Sequence, residues 1–249
     1  MSARFQVLDW RPTPMGTVSL RRRWDPTVGE DVYEAKLDSE FLMSSLFTVV
    51  EVEMARLALA EVATSEPDVV VGGLGLGYTA RTVLENPDVR SLVVIEALGE
   101  VIEWHRDGLV PVGETLATDR RCRLVHGDFF EMVGSENGLD PETPGRTFDA
   151  VIVDIDHSPH HVLHPSHAVF YEPAGLRSVA RHLNPGGVFA LWSNDPPDSD
   201  FTKVLGGEFA RAWAERVAFH NPLQGREAAN TVYLATTEAE PTTPAGGQG

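Results

Sequence analysis

A single cysteine in 249 residues, Cys122, excludes an intramolecular disulfide. Positive charge is also scarce: 20 Lys and Arg stand against 37 Asp and Glu. The resulting net charge of −17 opposes a sequence-independent grip on phosphate backbones or anionic headgroups, so neither nucleic acid nor a membrane surface is an expected partner. Arg21-Arg22-Arg23 lies in an alternating segment and reads as a solvated strand face. The sequence has no apolar run of the roughly 18 residues a spanning helix needs, and no basic-then-apolar leader. The expectation is a cytoplasmic protein, long enough for one principal α/β domain.

What is present is a set of short, continuously apolar runs: Val69-Val70-Val71, Leu92-Val93-Val94-Ile95, Ala150-Val151-Ile152-Val153 and Val188-Phe189-Ala190-Leu191. Runs of this length, rich in β-branched residues and separated by helix-length stretches, predict strands buried on both faces of a parallel sheet. The intervening helices are expected at about Thr79 to Glu85, Glu100 to Arg106 and Pro173 to His182, the last stopped by Asn184-Pro185-Gly186-Gly187. Before the first run, Thr48 and Glu51 have capping-box spacing for a helix reaching about Thr64. Residues 1–45 read as a small β-hairpin cap, with strands at Thr17 to Arg23 and Asp31 to Leu37. Past Phe201 an alanine- and tryptophan-rich helix is expected, then strands at Arg216 to His220 and Thr231 to Thr236 forming an antiparallel hairpin. The main domain therefore covers 46–236, and the composition of 237–249 predicts a disordered tail.

Three features in order point to a nucleoside. Gly72-Gly73-Leu74-Gly75-Leu76-Gly77 follows the first buried strand and opens a helix, where glycines at 73, 75 and 77 let the backbone turn tightly and approach a ligand. Glu96 ends the second strand, 19 residues after Gly77, where a carboxylate can accept both hydrogen bonds of a ribose diol. Asp128, within Gly127-Asp128-Phe129 after a third strand at Arg123 to Val125, is placed to take an exocyclic adenine amine while Phe129 offers a stacking face. The third glycine comes one residue early for a dinucleotide fingerprint, which favours a sulfonium nucleoside over NAD.

With these motifs and Val153-Asp154, the chain resembles, from about Gly16 to Ala235, the spermidine synthase-like branch of the class I S-adenosylmethionine-binding superfamily. The resemblance implies a Rossmann-like class I methyltransferase fold, ribose binding by Glu96, adenine binding by Asp128, and Asp154 as the carboxylate that helps deprotonate an attacking amine. It also implies a small-molecule amine acceptor and a possible homo-oligomer. Where such synthases place an acid for the donor's amine, this loop has Leu74, Gly75 and Leu76, and their acceptor-holding segment is here Leu42 to Phe47. The donor is thus either S-adenosylmethionine or decarboxylated S-adenosylmethionine, and the group transferred methyl or aminopropyl.

In an open α/β sheet the crevice lies beyond the carboxyl ends of the strands, which puts Asp154, Asp156 and His157 at the reacting centre as base or orienter, second acid and proton-sharing imidazole. Five histidines, His157, His160, His161, His164 and His167, invite a metal reading, but Pro159 and Pro165 interrupt them and their spacing matches no ligand pattern; no metal is expected, and a substrate-covering lid is. Asn194-Asp195-Pro196-Pro197 reads as a loop at the crevice rim. A rival from another class is a catalytically silent nucleoside-binding regulatory module.

Overall fold

The computed structural model describes residues 5–239. The valine-rich runs form β5 (Asp68–Gly72), β6 (Ser91–Glu96), β8 (Phe148–Val153) and β9 (Leu183–Ser193), which with β7 (Cys122–His126) make the parallel part of a seven-stranded sheet. β10 (Arg211–Asn221) and β11 (Arg226–Thr236) close it as an antiparallel hairpin, giving the order β10-β11-β9-β8-β5-β6-β7. This is the Rossmann-like arrangement of a class I methyltransferase fold. The runs are apolar throughout because both faces are covered. On one side lie α1 (Val49–Glu61), α2 (Tyr78–Glu85), α3 (Gly99–Arg106) and α4 (Gly113–Thr118); on the other, α5 (Phe129–Gly134), α6 (Pro173–Ala180) and α7 (Ser199–Glu208). Val69, Val70, Val71, Val151 and Val153 are fully buried, each contributing about 1.5–3 kcal/mol relative to exposure.

The N-terminal part is a second, antiparallel sheet: β1 (Phe5–Thr13), β2 (Gly16–Asp25), β3 (Glu30–Leu37) and β4 (Glu40–Ser44), in that order. The two strands read from the sequence are β2 and β3, and two more flank them, so the cap is a meander rather than a single hairpin. Val18, Leu20 and Ala35 from this sheet join the core that includes α1 to α4. The Trp104 indole N–H donates to Asp9 Oδ2 at 2.6 Å, tying the cap to α3.

Three local expectations are corrected. Thr48 precedes α1 but makes no side-chain cap bond, so the Thr48/Glu51 pair is not a capping box. The Ala212-Trp213-Ala214 stretch is part of β10, not a helix, because each residue pairs with β11 (Trp213 opposite Leu234) and tertiary pairing overrides alanine's helical preference. Thr237 and Glu238, assigned to a disordered tail, are bonded to the start of β9: Thr237 N–H donates to Gly187 O at 3.0 Å and Gly186 N–H to Glu238 O at 2.8 Å. The remainder of that tail, from residue 240, lies outside the described residues. No helix among the described residues is long and apolar enough to cross a membrane.

Candidate active site

A cavity of about 670 Å³ opens at the carboxyl ends of the parallel strands, roofed by β4, the start of α1 and the β10–β11 turn. β5 sits between β6 and β8, so the strand order reverses there, the place where an open α/β sheet leaves a crevice.

The glycine loop borders this crevice, and its conformation explains its composition. Gly73 has φ +93°, and a Cβ there would collide with the Asp154 carbonyl oxygen and with Ile155. Gly75, at φ +48°, lies against the Met43 thioether. Both line the cavity. Gly77 does not: at φ +87° it starts α2 and packs on Val112, His105 and Leu116, so its role is close packing rather than ligand contact. His105 is fully buried beneath the loop with Nε2 at 2.8 Å from Gly75 O. Since a carbonyl only accepts, Nε2 carries the proton, and burial drives the imidazole pKa down to about 4, keeping it neutral.

Glu96 Oε2 accepts from Leu74 N at 3.0 Å and Oε1 from Leu98 N at 2.9 Å. Burial raises its pKa, and these backbone donors oppose the rise. Glu96 therefore pins the glycine loop while lining the cavity, which leaves part of its acceptor capacity for a ligand. Asp128 caps α5, Oδ1 accepting from Phe130 N at 2.8 Å, and lines the same end of the cavity. Phe129, expected to offer a stacking face, lines the cavity wall but is 2 % exposed, and a Cβ on Gly72 would lie 2.7 Å from its ring. Its job is to close the floor under Gly72. Phe130 is the half-buried ring of the pair, stacked on His167 with centroids 4.0 Å apart.

Asp154 leaves the end of β8 with its N–H bonded to Gly72 O at 2.8 Å, and Thr79 Oγ1 donates to its Oδ2 at 2.8 Å. Burial raises its pKa. On the wall of the same cavity is a residue that sequence reasoning assigned only to capping: Glu51, in the first turn of α1, whose pKa is raised by burial and then by the charge of Asp154. Burial and a neighbouring like charge both make a carboxyl group hold its proton to higher pH. The signal available for Glu51 in the sequence was an acid on a helix whose other neighbours, Val50 and Met54, are buried.

Asp156 is corrected as a substrate-touching acid. Its side chain is fully buried, Oδ1 accepting from Leu163 N at 2.6 Å and His167 Nδ1 at 2.9 Å, and Oδ2 from Tyr171 Oη at 2.8 Å. It organises the segment over the cavity, and through it His167 is presented at the cavity wall. His157 lines the cavity too, with Nε2 at 3.2 Å from Glu40 Oε1. The other histidines turn to separate partners: His160 to Asp198, His161 to Asp195 and His164 to Ser166. Among the described residues no three His, Cys, Asp or Glu side chains are grouped to hold a metal ion. Asn194 reaches the cavity, whereas Asp195 is turned to His161.

The fold and site define a Rossmann-like protein with a nucleoside-sized crevice lined by Glu51, Glu96, Asp128 and Asp154. Comparison with known proteins narrows this. Residues 50–198 match the spermine/spermidine synthase domain, and the chain belongs to that family. Polyamine aminopropyltransferase 2 of Pseudomonas aeruginosa is 27% identical over 215 residues, covering 79% of this chain and 56% of that protein, so the chain spans little more than half the relative's length. A spermidine synthase in complex with the transition state analogue AdoDATO superposes with a TM-score of 0.68 at 18% identity, covering 95% of this chain and 74% of that one. The spermidine synthase of Thermotoga maritima gives 0.69 at 18% identity, with 95% and 75% covered. At that identity the structural likeness is one of fold.

Proposed function

We propose that this chain transfers an aminopropyl group from decarboxylated S-adenosylmethionine to a small amine, releasing methylthioadenosine. The observation that carries the reading is that Glu51 lines the same cavity as Asp154, at the carboxyl edge of the sheet, close enough to feel its charge. Decarboxylated S-adenosylmethionine brings a sulfonium and a primary ammonium and no carboxylate, so two acids stabilise both of its charges. S-adenosylmethionine brings an α-carboxylate as well, which the charge on Asp154 would oppose and which would hold the Glu51 carboxyl in its neutral form instead of drawing out its charge. Glu51 thus supplies from α1 the carboxylate that Leu74, Gly75 and Leu76 do not supply from the loop.

The protein's part in such a reaction is alignment and proton removal. Asp128 would take the adenine amine and Glu96 the ribose diol, which fixes the sulfonium over the glycine loop. Asp154, held by Thr79, would orient the attacking amine and accept its proton as the N–C bond forms. Asp156 keeps the covering segment in place through His167 and Tyr171, and His157 joins that segment to β4 through Glu40.

The experiment is calorimetric titration with decarboxylated S-adenosylmethionine, S-adenosylmethionine and methylthioadenosine, alongside a product assay. Preference for the decarboxylated donor and release of methylthioadenosine support aminopropyl transfer. Preference for S-adenosylmethionine with S-adenosylhomocysteine as product would replace it by methyl transfer, and binding of nucleoside with no turnover of any donor would leave a regulatory module.

A further inference from the structure

Where the covering segment meets α5, the cavity wall holds an imidazole that the transfer reaction does not use. Asp156, buried behind it, spends Oδ1 on Leu163 N at 2.6 Å and His167 Nδ1 at 2.9 Å, and Oδ2 on Tyr171 Oη at 2.8 Å. A carboxylate only accepts, so the His167 ring carries a proton on Nδ1, and Nε2 of the neutral ring is an acceptor. Nε2 has no hydrogen-bond partner among the described residues, yet it is not sealed off, and the ring lines the cavity. Asp156 therefore fixes which nitrogen His167 offers to a ligand.

The ring is also held beside a second acceptor. It stacks on Phe130 with centroids 4.0 Å and planes 26° apart, and Phe130 N donates to Asp128 Oδ1 at 2.8 Å. Glu131 N takes the same oxygen at 3.3 Å, which leaves Asp128 Oδ2 without a partner among the described residues. Asp128, Phe130 and His167 all line the cavity. A carboxylate oxygen and an imidazole nitrogen, both unspent, are thus joined through one residue at one end of it.

The exocyclic amine of adenine has two N–H bonds to place, and Asp128 Oδ2 satisfies one. We propose that His167 Nε2 accepts the other, so that the pair selects a purine with an amino group at position six and rejects one with an oxygen there. An oxygen would turn its lone pairs toward two acceptors, and a buried polar site rejects a ligand that leaves its groups unpaired. The inference deepens the nucleoside half of the proposed function. It rests on an adenine nucleoside in this cavity and is independent of which group is transferred.

The test is calorimetric titration with methylthioadenosine and methylthioinosine, which carry an amine and an oxygen at position six. Wild type should prefer methylthioadenosine by at least about 100-fold. His167→Asn keeps an amide donor for Asp156 Oδ1 and removes the nitrogen that faces the cavity. It should weaken methylthioadenosine by about 3- to 10-fold and leave methylthioinosine unchanged or tighter, so the preference falls by at least about threefold. A merely structural role would weaken both nucleosides alike and leave their ratio where it was. Imidazole nitrogen NMR on wild type provides a readout that needs no variant: saturation with methylthioadenosine should move the His167 Nε2 resonance. An unchanged ratio in folded His167→Asn, or an Nε2 resonance that does not move, overturns the proposal, while release of methylthioadenosine in turnover keeps aminopropyl transfer standing. If ratio and resonance both respond but no donor is turned over, the base is read as proposed and the transfer reading falls. If methylthioadenosine does not bind, both fall.

Discussion

Replacing Glu51 by Gln tests the carboxyl pair directly, because Gln keeps the shape and removes only the charge. Burial and the neighbouring Asp154 push the Glu51 carboxyl up to about 8, while Asp154 is raised to about 6. At pH 7 an incoming ammonium must therefore expel the Glu51 proton before pairing with it, which costs about 1.4 kcal/mol for the one pH unit involved. The charge-assisted hydrogen bond then gained is of order 1.5–3 kcal/mol. At pH 9 no proton needs to be expelled, so Glu51→Gln should weaken decarboxylated S-adenosylmethionine by about 10- to 150-fold, and by roughly a tenth of that factor at pH 7. The wild-type affinity should accordingly climb up to about tenfold from pH 7 to 9, with proton release visible as a buffer-dependent heat, and the variant should be flat. Methylthioadenosine, which has no ammonium, should be flat with either protein. A slope that survives in Glu51→Gln, or one that methylthioadenosine shares, would refute the reasoning.

The same shift makes a stability statement of fixed sign. Glu51 keeps its proton in the folded chain to a higher pH than its ordinary 4.5, so the folded state binds more protons between about 4.5 and 8 and stability falls as pH rises through that window. Glu51→Gln should therefore melt at a higher temperature than wild type at pH 8, and the two should converge near pH 4. Asp154→Asn should lower kcat by about 10²- to 10⁴-fold, the usual worth of a positioned base, while methylthioadenosine still binds; calorimetry and product release separate the two effects, and near-normal turnover would remove Asp154 from its role. Gly73→Ala puts a Cβ on the Asp154 carbonyl at φ +93°, so the expected outcome is loss of nucleoside binding with a lower melting temperature, the backbone strain alone costing of order 1–3 kcal/mol. Asp156→Ala strands the donors of Tyr171, His167 and Leu163 at about 1–3 kcal/mol for each one left unpaired. Asp156→Asn should cost less, since its amide can donate to the Tyr171 oxygen; equal urea midpoints for the two variants would contradict this account of the buried carboxylate.

The parallel sheet was legible because burial on both faces writes itself as uninterrupted valine and isoleucine, and β5, β6, β8 and β9 each contain the run that announced them. The glycine loop was legible in position, yet its three glycines differ in use: 73 and 75 border the cavity and 77 packs against His105, a distinction set by side chains some thirty residues away. The Phe129 and Phe130 pair shows why neighbouring positions are hard to separate. Both are aromatic and follow Asp128, and only the turn of α5 decides that the first lies under Gly72 and the second meets His167. Asp156 had a favourable place in the sequence, but whether an acid faces substrate or serves a buried His and Tyr depends on how the following loop folds back, and no local spacing encodes that.

Glu51 shows the most about how such a site is built. Its neighbours mark it as an ordinary first-turn acid, and 103 positions separate it from Asp154 in the chain. They meet because α1 packs across β8 and β9, bringing its first turn over the carboxyl edge just where the glycine loop has no acid of its own. A cavity responds to charge at a point in space and is indifferent to which element delivers it. The absence of an acid from Leu74-Gly75-Leu76, taken alone, argues against a donor with a free ammonium; the same absence with Glu51 in place does not. The net charge of −17 cannot make that distinction, since a general field attracts any cation from any direction, whereas Glu51 and Asp154 act from fixed positions on the wall of one cavity.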